Sequence, residues 1–432
     1  MRNKYRWVVA ALLFFAGMIN YLDRAALSVA APLIKQDLHI DDAQMGLLFS
    51  SFFLGYCLFC FIGGYAADRF GPKKVFGIAA AVWSVFCGLT SLTANFTQLV
   101  ICRVLFGIGE GPMGSTTNKT VTNWFPREEA AFALGLSSCG QPLGAAIAAP
   151  IVGLVAWNFG WRVSFVVIAL LGVVWLAAWC LFFTDKPAQH PKVSAEERLL
   201  IETSRARQAL AEDGEQHSVW HYIFSVPVLA VGFAFFCSNY VMYFFLTWLP
   251  SYLTDYQHLD VKHMSVIGMI PWVGAAIGFL MGGTASDAIL RKTGKGVFAR
   301  KSILILGLAV AAFSVLMVAH STTLVSAVAF ITVGNLFLFM SPQLCWILLQ
   351  EIVPTRYIGG TGGFVHLMAN LAGLVAPALT GYVVQYGGGY NTAFVIASVA
   401  AAAGAIVVLV VVSGKRLRRQ PVIEQAPHLT RN

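Results

Sequence analysis

The sequence predicts an all-α membrane protein: twelve transmembrane helices in two six-helix bundles related by a pseudo-two-fold axis. Three observations carry this expectation. The chain has 432 residues, 58% of them hydrophobic and only 11% charged, whereas a soluble chain carries about 25% charged residues. Apolar stretches long enough to cross about 30 Å of hydrocarbon recur throughout it. The second half also repeats features of the first.

Hydropathy places the spans near 7–34, 45–67, 75–95, 97–118, 130–157, 162–183, 222–254, 264–285, 300–319, 323–350, 358–385 and 391–413. Several exceed twenty residues, so tilt or interfacial extension is expected. The one long polar stretch contains "DKPAQHPKVSAEERLLIETSRARQ". It divides the chain into a first bundle (1–183), a linker (184–221), a second bundle (222–413) and a tail (414–432). Within the linker, "SAEERLLIETSRARQAL" is amphipathic and predicts a short interfacial helix. The first apolar run is too long for a cleavable signal and lacks a cleavage-site pattern.

Lysine and arginine set the expected orientation. Arg2, Lys4 and Arg6 precede the first span, and Arg69, Lys73 and Lys74 follow the second. Lys186, Lys192, Arg198, Arg205 and Arg207 lie in the linker. Arg291, Lys292, Lys295, Arg300 and Lys301 lie between spans eight and nine, and the tail reads "KRLRRQ". The other side has only Lys35, Arg162 and Lys262. Both termini are therefore expected in the cytoplasm. The net charge of +9 is then topological, and the basic clusters read as lipid-facing anchors rather than a nucleic-acid site. The eight cysteines all fall in apolar segments and read as small hydrophobes, the Cys57–Cys60 CxxC included. No metal-ligand pattern, nucleophile constellation or GxxxxGK[ST] loop appears.

The internal repeat is visible in several places. "INYLDRAALSVAAPLI" in the first span echoes "SNYVMYFFLTWLPSYL" in the seventh, aligning Asn20-Tyr21 with Asn239-Tyr240. "GGYAADRFGPKK" after the second echoes "GGTASDAILRKTGKG" after the eighth, with Gly64 and Asp68 matching Gly283 and Asp287. A six-plus-six repeat is a transporter architecture with its site at the midplane between halves.

Charges at membrane depth mark function by default. Asp23 and Arg24 are adjacent in the first span, about 100° apart around a helix. Arg103 and Glu110 lie two turns apart in the fourth, on one face and about 10 Å apart. Tyr21, Arg24 and Ser28 share a stripe. In the repeat, Met242 and Tyr243 stand where the first half has Asp23 and Arg24. The first half is thus expected to handle charge and protons, and the second to shape the rest of the substrate. An arginine fork suits a carboxylate. Gly140 and Gly144, one turn apart, predict close packing of the fifth span.

Gly64 to Lys74, "GYAADRFGPKK", resembles the loop signature of the major facilitator superfamily. Within it the chain resembles the anion:cation symporter family, on "NYLDRAALSVA", "RVLFGIGEGP", "NWFPREEAA", "FFLTWLPSYL" and "IGGTGG". The resemblance covers nearly the whole chain and is nearest to proton-coupled importers of sugar acids. It implies the major facilitator fold and symport by alternating access, with protons as coupling ion, no cofactor and no enzymatic activity. It implies partners limited to a small organic anion, protons and the lipid bilayer, in a monomeric carrier of the bacterial inner membrane.

Residue by residue, the resemblance assigns proton coupling to Asp23 and Glu110. It assigns substrate contact to Arg24, Arg103, Tyr21, Tyr56, Gln141 and Trp346, with Gln343, His366 and Asn370 completing the pocket. Asp68 and Arg69 become gating residues, the aspartate closing against the start of the eleventh span. There are departures. The stretch after the fourth-span glutamate reads "GPMGSTTNK" where sugar-acid importers have Phe-Pro-x-Asn. Asn118 is one position off that pattern. His366 replaces a pocket asparagine, and Gln343 a small hydroxyl residue. The substrate is most like an aldonate, aldarate or hexuronate, with a dicarboxylate, a small aromatic acid, or export and exchange left open.

Overall fold

The structure is a computed structural model that describes residues 4–210, 219–354 and 357–412. It is nearly all helical. The first half contains α1 (Arg6–Leu38), α2 (Asp42–Phe70), α3 (Pro72–Thr90), α4 (Phe96–Glu110), α5 (Met113–Trp124), α6 (Arg127–Phe159) and α7 (Trp161–Phe182). The linker forms α8 (Ala195–Leu210), the amphipathic helix expected there, and α9 (Val219–Ile223) follows. The second half contains α10 (Val226–Ser251), α11 (Val261–Ile267), α12 (Ile270–Thr293), α13 (Gly296–Ala319), α14 (Leu324–Leu338), α15 (Ser341–Ile352), α16 (Ile358–Tyr386) and α17 (Gly389–Val411). The tail from residue 413 on, with its basic run, lies outside the described residues.

Eleven of these helices or helix pairs are long and apolar enough to cross a membrane. The twelfth crossing is α4 with α5, which packs against α2 and α3. It falls short on apolarity because it carries Arg103, Glu110 and Lys119. Several expected boundaries move. The span near 97–118 is a broken helix reaching Trp124, interrupted at Gly111 and Pro112, because proline has no N–H to donate back along the helix. Its repeat partner is broken in the same way, between Leu338 and Ser341, ahead of Pro342. The seventh span is a continuous helix only to Ser251, then a π-helical turn to Tyr256.

The expected signature loop after the second span is itself helical. Asp68 and Arg69 belong to the last turn of α2, and the connection is Gly71 alone. Gly71 has φ +86°, a left-handed conformation suited to glycine, and Pro72 then starts α3 at its first position, where no N–H is needed.

Helix α1 pairs most extensively with α6, and α2 with α4 and α16. The α1–α6 contact depends on the predicted glycines: a Cβ at Gly140 would stand 2.2 Å from the Phe14 carbonyl oxygen, and one at Gly144 2.0 Å from that of Met18. No side chain fits there.

The halves meet tightly at the end bearing His39–Asp41. The Lys35 ammonium bridges Asp42 at 2.6 Å and Asp255 of the second half at 2.9 Å. Gly46 of α2 sits against the backbone of Pro377 and Gly381 of α16. At the linker end the ion pairs stay within one half or its linker: Arg6 with Glu129 and Glu197, Lys119 with Asp68, and Arg300 with Asp287 and Glu351. There Gly359 and Gly363 of α16 face open space.

Candidate functional site

At mid-depth α1 turns Asn20, Tyr21, Asp23 and Arg24 into the interior, and all four are buried. Arg24 meets Glu110, the last residue of α4 before its break. Arg24 Nε donates to Glu110 Oε2 at 2.6 Å, with the two side chains only 5% and 0% exposed. A pair this deep is costly to break, about 3–5 kcal/mol when one partner is removed.

Aromatic rings surround the cation. The Arg24 guanidinium carbon lies 5.3, 4.8 and 4.4 Å from the ring centroids of Tyr21, Phe52 and Tyr56. Arg103 lies 5.2 Å from Phe52 and 4.8 Å from Phe106. Phe52 thus serves both guanidiniums. Ring quadrupoles hold a desolvated cation by up to about 2 kcal/mol each, so this cage helps two arginines persist at depth.

The two carboxylates differ. The sequence placed Arg103 and Glu110 on one face two turns apart, and their separation fits: Glu110 bridges across to Arg24, not along its own helix to Arg103. Arg103 and Asp23 form no ion pair among the described residues. Asp23 lies on the α3–α4 side of α1, with Glu110, Arg103 and Arg24 as its charged neighbours and Cys87 close by. Among the described residues only Glu110 pairs with an arginine, since Asp23 and Arg24 leave α1 in different directions. Two buried polar atoms here have no hydrogen-bond partner, Asp23 Oδ1 and Arg103 Nε, while the Asn20 side chain lies beside the Glu110 carboxylate.

The opposite wall comes from α10, α15 and α16. Tyr243 packs edge-on against Phe53 at 4.5 Å, and its hydroxyl donates to Asn370 Oδ1 at 2.7 Å. Asn370 Nδ2 donates in turn to the His366 carbonyl at 2.8 Å. Asn370 therefore organises this wall, both ends of its amide being engaged. The His366 ring is 5.9 Å from Trp346, and its Cε1 lies 3.8 Å from where a Cβ on Gly114 of the first half would stand. Tyr21 reaches across to Met242, hydroxyl to Sδ, at 3.9 Å.

Other sequence-predicted residues sit further out. Gln343 is turned toward α12, its Oε1 3.5 Å from where a Cβ on Gly283 would be. Gln141 of α6 rests its stem against Gly17 of α1. Asp68, mostly exposed, accepts from Lys119 at 2.6 Å in its own half. The closure against the start of α16 that the resemblance implies is not among the described contacts. Arg69, also exposed, reaches Tyr65 at 3.4 Å.

Sequence reasoning left Asn20, Phe52 and Tyr243 off the site. The repeat signalled two of them: Asn20 through the shared Asn-Tyr pair, and Tyr243 by standing where the first half has Arg24. Nothing in the sequence distinguishes Phe52 from its neighbours.

Two facing helical bundles around a buried arginine–glutamate pair define a membrane carrier with a charged centre. The chain belongs to the Major Facilitator Superfamily, whose family model matches residues 13–376; it is a multi-pass membrane transporter and not an enzyme. It is 43% identical over 399 residues to a hexuronate transporter of Bacillus subtilis (strain 168), covering 92% of each chain. It is 32% identical to a probable sulfoacetate transporter of Cupriavidus necator, over 92% of this chain and 91% of that one. In fold it matches the crystal structure of a bacterial homologue of the human lysosomal transporter Spinster. The TM-score is 0.75 at 19% identity, covering 97% of this chain and 99% of that one.

Proposed function

We propose that the protein is a proton-coupled symporter that imports a sugar acid across the bacterial inner membrane by alternating access, with both termini cytoplasmic. The observation that carries this reading is the buried Arg24–Glu110 pair inside its aromatic cage. Arg24 binds Glu110 through Nε alone, and its two terminal nitrogens form no described ion pair. Those nitrogens present the fork that a substrate carboxylate needs.

Proton and substrate are then linked through one cation. A proton on Glu110 removes its charge and frees Arg24 for the substrate. Without that proton, Glu110 and the substrate compete for the same guanidinium. Asp23, unpaired beside Arg103, is the second proton site, and this incompletely satisfied network differs from a static lock between α1 and α4. On this reading the halves, held together at the Lys35 end, are closed on the side away from the cytoplasm. The 43% identity to a hexuronate transporter supports the sugar-acid assignment.

Glu110→Gln tests the coupling. The amide imitates the protonated acid, so the variant should bind substrate and exchange it between two sides at equal pH. It should lose uptake driven by a pH gradient. Linkage requires wild-type affinity to rise as pH falls and that dependence to flatten in the variant. The measurements are counterflow and gradient-driven uptake in proteoliposomes, with affinity followed across about pH 5 to 8, the range in which coupled carboxylates and histidine commonly titrate. Gradient-driven accumulation by Glu110→Gln equal to wild type would show Glu110 to be structural.

A further inference from the structure

The geometry points to a site that counts carboxylates: it accepts sugar acids with one carboxylate and an uncharged polyhydroxy end, and discriminates against the matching dicarboxylates. This rests on the sugar-acid reading and narrows it.

Charge is distributed unevenly between the two facing walls. On the first-half side stand the two mid-depth arginines, Arg24 and Arg103, and only Arg24 is placed against the opposite wall. Its electrostatic neighbours include Tyr243 of α10, and it in turn lies within electrostatic reach of His366 of α16. Arg103 is set back, enclosed by Phe52 and Phe106. One carboxylate is thus provided for.

The facing wall is made of neutral groups. Tyr243, Asn370, His366 and Trp346 supply hydroxyl, amide, imidazole and indole. Tyr243 and Asn370 are locked to each other at 2.7 Å, and Asn370 to the α16 backbone at 2.8 Å, so the polar surface there is rigid. The described lysines and arginines of the second half lie at its two ends. Lys262 follows the π-turn, while Arg291, Lys292, Lys295, Arg300 and Lys301 cluster around the α12–α13 connection. The buried one, Arg300, is already paired with Asp287 and Glu351.

Sugar hydroxyls hydrogen-bond to such a wall, and a sugar ring or chain stacks on Trp346. A second carboxylate would be desolvated there without a cation, and an unpaired buried charge is strongly disfavoured. His366 is the one group on this wall that acquires charge by protonation, and an unperturbed imidazole is mostly neutral above about pH 7. His366 is therefore the specificity-determining position: a cation there would complete a dicarboxylate site.

The test is competition for binding by purified protein at pH 7.5 with glucuronate, gluconate and glucarate. Gluconate and glucarate share an open chain and differ at C6, an alcohol in one and a carboxylate in the other. Glucuronate adds the one-carboxylate ring form. Glucuronate and gluconate should compete, and glucarate should bind at least about tenfold more weakly, as expected for an unpaired buried charge. The variant His366→Arg should narrow or reverse the gap between gluconate and glucarate, and His366→Gln, neutral like the wild-type side chain, should keep it. Glucarate binding as well as gluconate in the wild type overturns the inference while sugar-acid transport stands. Binding of none of the three overturns the sugar-acid reading and this inference with it.

Discussion

On the proposed coupling Arg24 carries the heaviest burden of any single residue, because its guanidinium pairs with Glu110 and stands toward the facing wall. Arg24→Ala should weaken substrate binding by at least about thirtyfold, the scale set by removing one partner of a buried charge pair. Arg24→Lys should recover little of it, since a point ammonium reproduces neither the planar fork nor its stacking on Tyr56. Titration calorimetry on purified protein checks both, and normal binding by Arg24→Ala would remove the residue from the site. At this scale the sequence was informative about identity and silent about pairing. Asp23, Arg24, Arg103 and Glu110 are legible as ionisable groups inside apolar spans, which only function readily explains. That Glu110 reaches Arg24 and leaves Arg103 to Phe52 and Phe106 depends on how α1 and α4 cross. No spacing within one helix encodes that. Phe52 was invisible for a related reason: it is one of 32 phenylalanines, singled out only by the two cations that happen to flank it.

Among the helices, α1 and α6 form the most extensive contact, and glycines make it possible. Gly144→Ala would set a methyl 2.0 Å from the Met18 carbonyl oxygen, so the helices must separate. The expected loss is about 1–3 kcal/mol, as for overpacking elsewhere. Gly135→Ala in the same helix is the control, since a Cβ there meets nothing within 4 Å. It should be neutral or slightly stabilising because alanine favours a helix more than glycine does. Thermal unfolding in detergent distinguishes the two, and equal melting temperatures would show that this close approach does not limit stability. The glycine spacing was readable in advance because close helix packing leaves a compositional trace. The breaks in α4–α5 and α14–α15 were not, although Pro112 and Pro342 stand at both. Apolar composition runs unbroken through 338–341, and hydropathy is blind to a missing N–H. The repeat of this break in the fourth helix of each half is a backbone symmetry that residue identity only partly preserves.

For the whole molecule, the preferred conformation rests on a small number of contacts. Lys35 is the described ion bridge between halves, with 18% of its side chain exposed and partners 21% and 35% exposed. An ion pair of this exposure contributes about 1 kcal/mol at most, enough to shift a two-state balance roughly fivefold. Lys35→Ala should raise, by about that factor, the labelling rate of a cysteine placed at Met45 by an impermeant maleimide applied from that side. An unchanged rate would mean that the apolar contacts of α2 with α16 alone hold this end closed. The two-bundle plan was legible from the repeat, but this bridge was not. Its charges come from the ends of α1 and α2 and from the π-helical turn after α10, and only the closed fold assembles them. The linker has a different mechanical meaning. Glu197 of α8 accepts from the backbone N–H groups of Tyr5 and Arg6 at 3.0 and 3.2 Å and from Arg6 Nη1 at 2.8 Å. His190 stacks on Tyr5 at 4.0 Å, kept neutral by burial and by nearby lysines that push its imidazole below the ordinary range. Meanwhile α9 is docked on the other half, Tyr222 stacking on Tyr357 at 4.9 Å. The linker helix α8 is therefore fastened to the first bundle and α9 to the second. Nine Cα steps separate Leu210 from Val219 in the sequence, so covalent geometry alone keeps those two ends within about 30 Å of each other, a covalent leash between the two bundles.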